Sequence, residues 1–272
     1  MEKKTIIVPH DFTIVADNAL KHAINTAKTT QGTIQLLHVV AKEKAIAEAQ
    51  EKLEEIIKKQ EAEGVVITPV VRVGSIFEDI GDLAKEANAE LIFMGTHGQH
   101  GWQHITGSHA LKVITHSTVP FIVVQEKEIK ESGYDDIVVP LDLNKETKQK
   151  LAYVANIATY FKSRVHLITP DESDEFLRRQ VKANIQFAVK FFHERGIDVT
   201  TKVAPSNGFD KEVVKHAVYL EADLIAIMNL NRNNMFGVIT ASYEQYIITN
   251  DAHIPTLIVN PIEGKFGSVL FS

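Results

Sequence analysis

The chain has 272 residues, 29 Lys and Arg against 35 Asp and Glu, a formal net charge of −6, and 44% hydrophobic and 24% charged residues. That balance suits about two globular domains and excludes a disordered chain, and the acidic excess argues against nucleic acid or a membrane as partner. Cysteine is absent, which removes disulfides, thiolate metal ligands and a cysteine nucleophile.

Met1-Glu2-Lys3-Lys4 leads directly into Thr5-Ile6-Ile7-Val8, too short an apolar run for a signal peptide, and no stretch reaches 18 apolar residues. A cytoplasmic location is the expectation. Thr5–Pro9 reads as the first strand. Ala16, Leu20, Ala23, Ile24 and Ala27 then recur at helical spacing. Thr33–Val40 is the second strand; Ile46, Ala49, Leu53, Ile56 and Ile57 mark a second helix, with Gly64 as its stop signal. The charged side of 42–63 reads as a solvated face. A third strand over 65–73, a third helix on Ile76, Ile80, Leu83, Ala84 and Ala87, a fourth strand over 91–94, a short helix over 110–116 and a fifth strand over 120–124 complete this half.

The order then repeats. Ile7-Val8-Pro9-His10-Asp11 aligns with Val138-Val139-Pro140-Leu141-Asp142 at an offset of 131, and Val119-Pro120-Phe121 with Ile254-Pro255-Thr256 at 135. Strands are expected near 136–139, 164–168, 198–203, 223–228 and 256–259. The chain is therefore a duplicated domain, over 1–128 and 134–262, with a charged linker at 125–133 and a tail at 263–272 holding Phe266, Val269, Leu270 and Phe271. Alternating strands and helices imply an α/β fold: two five-stranded parallel sheets with helices on both faces, in strand order 3-2-1-4-5. Ligands of such sheets sit beyond the carboxyl ends of the strands, where the winding reverses.

At that switch point the first strand delivers Pro9, His10 and Asp11, and the fourth delivers Gly95, Thr96, His97 and Gly98. Asp11 is an acceptor at a crevice mouth, or else Asp11 or Thr13 caps the first helix. Residues 95–108 hold four of the fourteen glycines and end in Gly107-Ser108 before a helix, so backbone can approach a ligand and free N–H groups can meet an anion. The spacing is neither a Walker A loop nor a dinucleotide fingerprint. His97, His100, His104 and His109 crowd this loop without a carboxylate among them, and read as polar donors near phosphate, with no metal site expected. Trp102 either stacks on a base or covers the loop. No catalytic triad is read from the sequence.

Val8-Pro9-His10-Asp11 together with Gly95-x-x-Gly98 and Gly107-Ser108 resembles the universal stress protein family, here as a tandem member. The resemblance implies a site for ATP or AMP, with Mg2+ as the accompanying ion: Asp11 and the backbone of Val39 at the adenine, and Met94, Gly95, Gly98, Gly107 and Ser108 around ribose and phosphates, beside Pro9, His10, His97 and His109. One departure is that eight residues, where the family pattern has nine, separate Gly98 from Gly107. The resemblance further implies pairing through the fifth strands, Phe121–Val124 with Thr256–Val259, so that the halves form a pseudo-dimer able to dimerise again. In the second half Gly95, Gly98 and Gly107 become Met228, Asn231 and Ala241, only Ser242 matches Ser108, and Val39 becomes Pro170, which has no N–H. The expected function is a stress-response regulator binding an adenine nucleotide in its first domain only. The alternatives are a slow ATPase or an interaction module that binds no nucleotide.

Overall fold

In the computed structural model the chain divides into two compact units, Met1–Glu131 and Ser132–Ser272. The structure describes residues 4–96, 107–115, 117–141, 148–230 and 243–261, with 107–109 as backbone only.

The first unit runs β1 (Thr5–Pro9), α1 (Ile14–Thr30), β2 (Thr33–Val40), α2 (Ile46–Lys59), β3 (Val66–Val73), α3 (Ile76–Glu86), β4 (Leu91–Gly95), α4 (Gly107–Thr115) and β5 (Phe121–Val124). Its strands pair in parallel, as the alternation of elements implies, and stand in the expected order β3-β2-β1-β4-β5. The central strands are covered on both faces, and Ile92, Phe93, Ile122 and Val124 are fully buried. Helix α2 buries only Ala49 and Leu53. Burying a leucine contributes about 1.5–3 kcal/mol, so this helix is held by a narrow seam and its charged side faces water as its sequence pattern implies. Gly64 is not its stop. The helix ends at Lys59, and Gly64, at φ +82°, serves the turn closed by Val65 N–H on the Ala62 carbonyl. Pro69 lies in β3, at the end of the strand order, where a strand best tolerates a missing N–H.

The segment after β5 is tied to α1 rather than left as a loose tether. Asn18 Nδ2 donates to the carbonyls of Gln125 (2.8 Å) and Lys127 (3.0 Å), His22 Nε2 to that of Lys127 (3.0 Å), and Asn25 Nδ2 to those of Lys130 (3.3 Å) and Glu131 (3.1 Å). Positions 18, 22 and 25 share one helix face. Burial of the His22 imidazole, the largest effect, pushes its pKa down to about 4.

The second unit repeats the plan with β6 (Asp136–Pro140), α5 (Lys150–Phe161), β7 (Arg164–Asp171), α6 (Glu175–His193), β8 (Val199–Pro205), α7 (Phe209–Tyr219), β9 (Leu224–Met228), α8 (Tyr243–Ile248) and β10 (Thr256–Val259). Its strand order is β8-β7-β6-β9-β10. The tail residues Phe266, Val269, Leu270 and Phe271 lie outside the described residues. No helix among the described residues is long and apolar enough to cross a membrane.

Candidate functional site

Strand β1 is the pivot of the first sheet, with β2 on one side and β4 on the other. The registers are Pro9 against Leu37 and Ile7 against Ile92. Counting on, Asp11 stands level with Val39 on one side and Thr96 on the other. These three residues form the rung just beyond the carboxyl ends of the strands, the place where ligands of such sheets bind.

Each carries a polar group that has no partner among the described residues. The β1–β2 ladder ends where His10 N–H meets the Leu37 carbonyl at 2.7 Å. The next acceptor, the His10 carbonyl, is taken by His38 Nδ1 at 2.7 Å. Because peptide groups alternate sides along a strand, the N–H and C=O of Val39 face the β1 side beyond this last rung. Asp11 Oδ1 accepts from Thr13 N–H (3.2 Å) and from the Thr13 hydroxyl (2.5 Å), while no described residue bonds its Oδ2. Thr96 is 2% exposed, its N–H bonds the Val124 carbonyl at 2.8 Å, and its Oγ1 is buried without a hydrogen-bond partner. Unpaired buried polar atoms are costly and uncommon in native folds.

The residues around this rung are tightly set. Thr13, not Asp11, is the N-cap of α1 and accepts from Ala16 N–H at 3.4 Å; Asp11 holds the cap from outside. Phe12 is forced to φ +67°, a conformation unfavourable for a bulky side chain, and its ring lies 4.3 Å from that of His38. His10 is buried. Its Nδ1 accepts Phe12 N–H (3.0 Å), which leaves the proton on Nε2 to donate to Asp17 Oδ1 (3.1 Å). Burial, the largest effect, holds this imidazole below its ordinary pKa despite Asp17 and Asp11, with His38 pushing the same way. His10 is thus a neutral spacer inside the β1–α1 turn. Pro9 ends β1 and Met94 precedes Gly95, the last residue of β4; all three are buried.

Gly95 has a different reason from the one expected. A Cβ there would stand 2.7 Å from the Val15 carbonyl oxygen and 2.9 Å from Ala16 N. The residue is small so that β4 can lie against the first turn of α1. Gly107 opens α4, as the Gly-Ser pair suggested, and Ser108 and His109 follow in its first turn; their side chains lie outside the described residues, as do His97, Gly98, His100, Trp102 and His104.

At the equivalent rung of the second unit two of the three positions are described, and both differ from the first. Leu141 N–H meets the Ile168 carbonyl at 2.8 Å, matching His10 and Leu37, so Pro170 occupies the place of Val39. Asn229 takes the place of Thr96, with its N–H on the Val259 carbonyl, but its amide Nδ2 is satisfied by Asn260 Oδ1 at 2.8 Å. The buried Lys150 Nζ donates to the Pro140 carbonyl at 2.5 Å, and the buried Glu244 Oε1 accepts Leu230 N–H at 3.1 Å. Met228 replaces Gly95, and α5 begins at Lys150, whereas the 131 offset from Ile14 would start it at 145. Asp142, Asn231, Ala241 and Ser242 lie outside the described residues.

Sequence reasoning passed over Thr96 as a spacer in Gly95-Thr96-His97-Gly98. The signal was available, since Thr96 is the first residue past an all-apolar strand. Lys150 and Glu244 carry no motif and show their role only once buried.

A doubly wound parallel sheet in the order 3-2-1-4-5, with polar groups unpaired among the described residues just past its pivot strand, defines an α/β module of Rossmann-type winding. The model of the universal stress protein family matches residues 3–125. Universal stress protein G of Escherichia coli O157:H7 is 30% identical over 141 residues, which span 45% of this chain and 99% of that protein. The chain belongs to the universal stress protein family. The fold of a universal stress protein from Archaeoglobus fulgidus DSM 4304 covers 96% of this chain and 99% of that one, with a TM-score of 0.79 at 18% identity, so the likeness extends over both units. Another universal stress protein from Archaeoglobus fulgidus, described in complex with dAMP, is 26% identical over 45% of this chain and 98% of that one, with a TM-score of 0.37.

Proposed function

We propose that the first unit binds an adenine nucleotide, that the second does not, and that the pair acts as a stress-response regulator. The observation that carries this reading is the contrast between the two rungs. Asp11 Oδ2, the Val39 peptide and Thr96 Oγ1 lack partners among the described residues of one unit. Of their counterparts in the other, Val39 is matched by a proline and Thr96 by an amide already bonded to Asn260, with Lys150 and Glu244 bonded alongside, while Asp142, the match of Asp11, lies outside the described residues. Open donors and acceptors at the end of a parallel sheet suit a ligand with a flat polar edge. The adenine edge offers both a donor and an acceptor, which fits the carboxylate and the strand peptide. The ribose and phosphates belong with Met94, Gly95, Gly98, Gly107 and Ser108, where the start of α4 adds free N–H groups and a favourable dipole. The nucleotide would supply the signal, by favouring one arrangement of residues 95–108.

Calorimetric titration of the full chain with ATP and with AMP tests this. One site per chain is expected, weakened by Asp11→Asn and unaffected by Glu244→Gln. Two equivalent sites, or none, would overturn it. Phosphate release measured on the same samples distinguishes a binding protein from a slow ATPase.

A further inference from the structure

The other rim of the second sheet carries a separate constellation. Asp136, His166 and Thr200 come from the adjacent strands β6, β7 and β8, close to their amino ends, whereas the nucleotide reading concerns the carboxyl ends. His166 Nε2 lies 2.7 Å from Asp136 Oδ1, and His166 Nδ1 lies 2.7 Å from Thr200 Oγ1. The sheet register sets this up, because His166 faces Thr200 directly across the β7–β8 pair. Arg164 donates to the second Asp136 oxygen at 2.7 Å. Burial works against ionisation of Asp136, but the hydrogen bonds from Arg164 and His166 outweigh it and hold the carboxyl below its ordinary pKa. An ionised carboxylate only accepts, so Nε2 carries the imidazole proton and Nδ1 is left as an acceptor. The Thr200 hydroxyl then donates to Nδ1. Asp136 and His166 are 7% and 5% exposed, while Thr200 is exposed.

We infer that Thr200 is a base-activated hydroxyl that accepts an acyl group from an activated ester, with His166 as the base and Asp136 as the residue that fixes the imidazole tautomer. Thr200 Oγ1 attacks the ester carbonyl carbon as its proton passes to His166 Nδ1. The bond from that carbon to the leaving oxygen then breaks, the leaving group takes the proton, and an O-acyl threonine remains. No oxidant or further reactant is needed. Lys202 lies two residues along the same face of β8, and its ammonium is held by His216 Nδ1 at 3.3 Å.

The strand contains its own reference. Thr201 is also exposed, but it projects from the opposite face of β8. The full chain is treated with p-nitrophenyl acetate, and fragment mass spectrometry reads the acetyl group at each threonine over time. General-base assistance predicts acetylation of Thr200 about 10²-fold or more faster than of Thr201. His166→Gln removes that preference, Thr200→Ser retains it, and Thr200→Val abolishes the modification. Equal rates at Thr200 and Thr201 in the unsubstituted protein overturn the inference, as does a preference that survives in His166→Gln; either result leaves the three residues as a strand-stitching network.

Discussion

The carbonyl oxygen of Val15 lies 2.7 Å from where a Cβ of Gly95 would stand, so the sheet and the first helix meet at this point with no room for a side chain. The glycine that looks most like part of a ligand loop is first a packing residue. Because α1 begins at the same turn that holds Asp11, the contact also sets how that turn faces the end of β4.

Replacing Gly95 by alanine should therefore cost the first unit about 1–3 kcal/mol, the usual penalty for overfilling a packed contact. Urea unfolding of the variant against the parent measures it. An unchanged midpoint would show that α1 can move away freely.

Val39→Pro transplants the residue of the second unit into the first. The Val39 N–H has no ladder partner, so folding should be little affected. Nucleotide affinity should fall about 5- to 30-fold, the equivalent of one lost hydrogen bond of 1–2 kcal/mol. Titration with AMP reads the affinity and thermal unfolding reads the fold. A large drop in stability with no change in affinity would contradict the reading of this peptide as a ligand contact.

Asp11 and Thr13 separate the cap from the site. Thr13→Ala should cost about 1 kcal/mol of stability through the lost cap while leaving most of the affinity. Asp11→Asn should do the reverse, because it preserves an acceptor for Thr13 and changes the group offered to the ligand. Equal losses of affinity in both variants would mean that Asp11 acts only through the helix start.

Glu244→Ala would leave the Leu230 N–H without the acceptor it has now. A loss of about 1–3 kcal/mol is expected in the second unit, with no gain of a second nucleotide site because Pro170 and the Asn229–Asn260 pair remain. Unfolding and binding stoichiometry on one sample check both halves of this statement.

His22 gives the first unit an acid sensitivity of known sign. Its pKa is about 4 in the fold against an ordinary 6.5. As pH falls below 6.5 the unfolded chain takes up a proton that the folded chain refuses. Stability is therefore full above 6.5, declines between 6.5 and 4 by at most about 1.4 kcal/mol per pH unit for this group, and levels off below 4. His22→Gln keeps a donor for the Lys127 carbonyl and should flatten the decline. Denaturant midpoints at several pH values for the two proteins test it.

Much of this architecture was legible in the sequence. The runs Thr5–Pro9 and Thr33–Val40 have the observed strand bounds, because β-branched runs ended by Pro9 and by a charged helix leave little freedom. The alternation of strands and helices implied a parallel sheet in one of two common orders, and the favoured one, 3-2-1-4-5, is the order observed. Gly64 misled because a glycine after a helical pattern is an equally good turn residue, and here the turn lies five positions beyond the helix end. The reason for Gly95 was not legible, since close approach to a helix and close approach to a ligand ask for the same residue. Nor was the pairing of Lys150 with Pro140 or of Glu244 with Leu230, since charged side chains are read as solvated until a fold buries them. The row Asn18, His22 and Asn25 has helical spacing, yet it binds main-chain carbonyls, which leave no trace in side-chain identity.

That row decides where the first unit can be cut. The family match stops at residue 125, but five of the hydrogen bonds that anchor the outer face of α1 end on carbonyls from Gln125 to Glu131. A fragment trimmed to the edge of the match would expose an imidazole and two amides that now lie sheltered, and would fray the helix that frames the crevice. A stand-alone first unit should extend to residue 131.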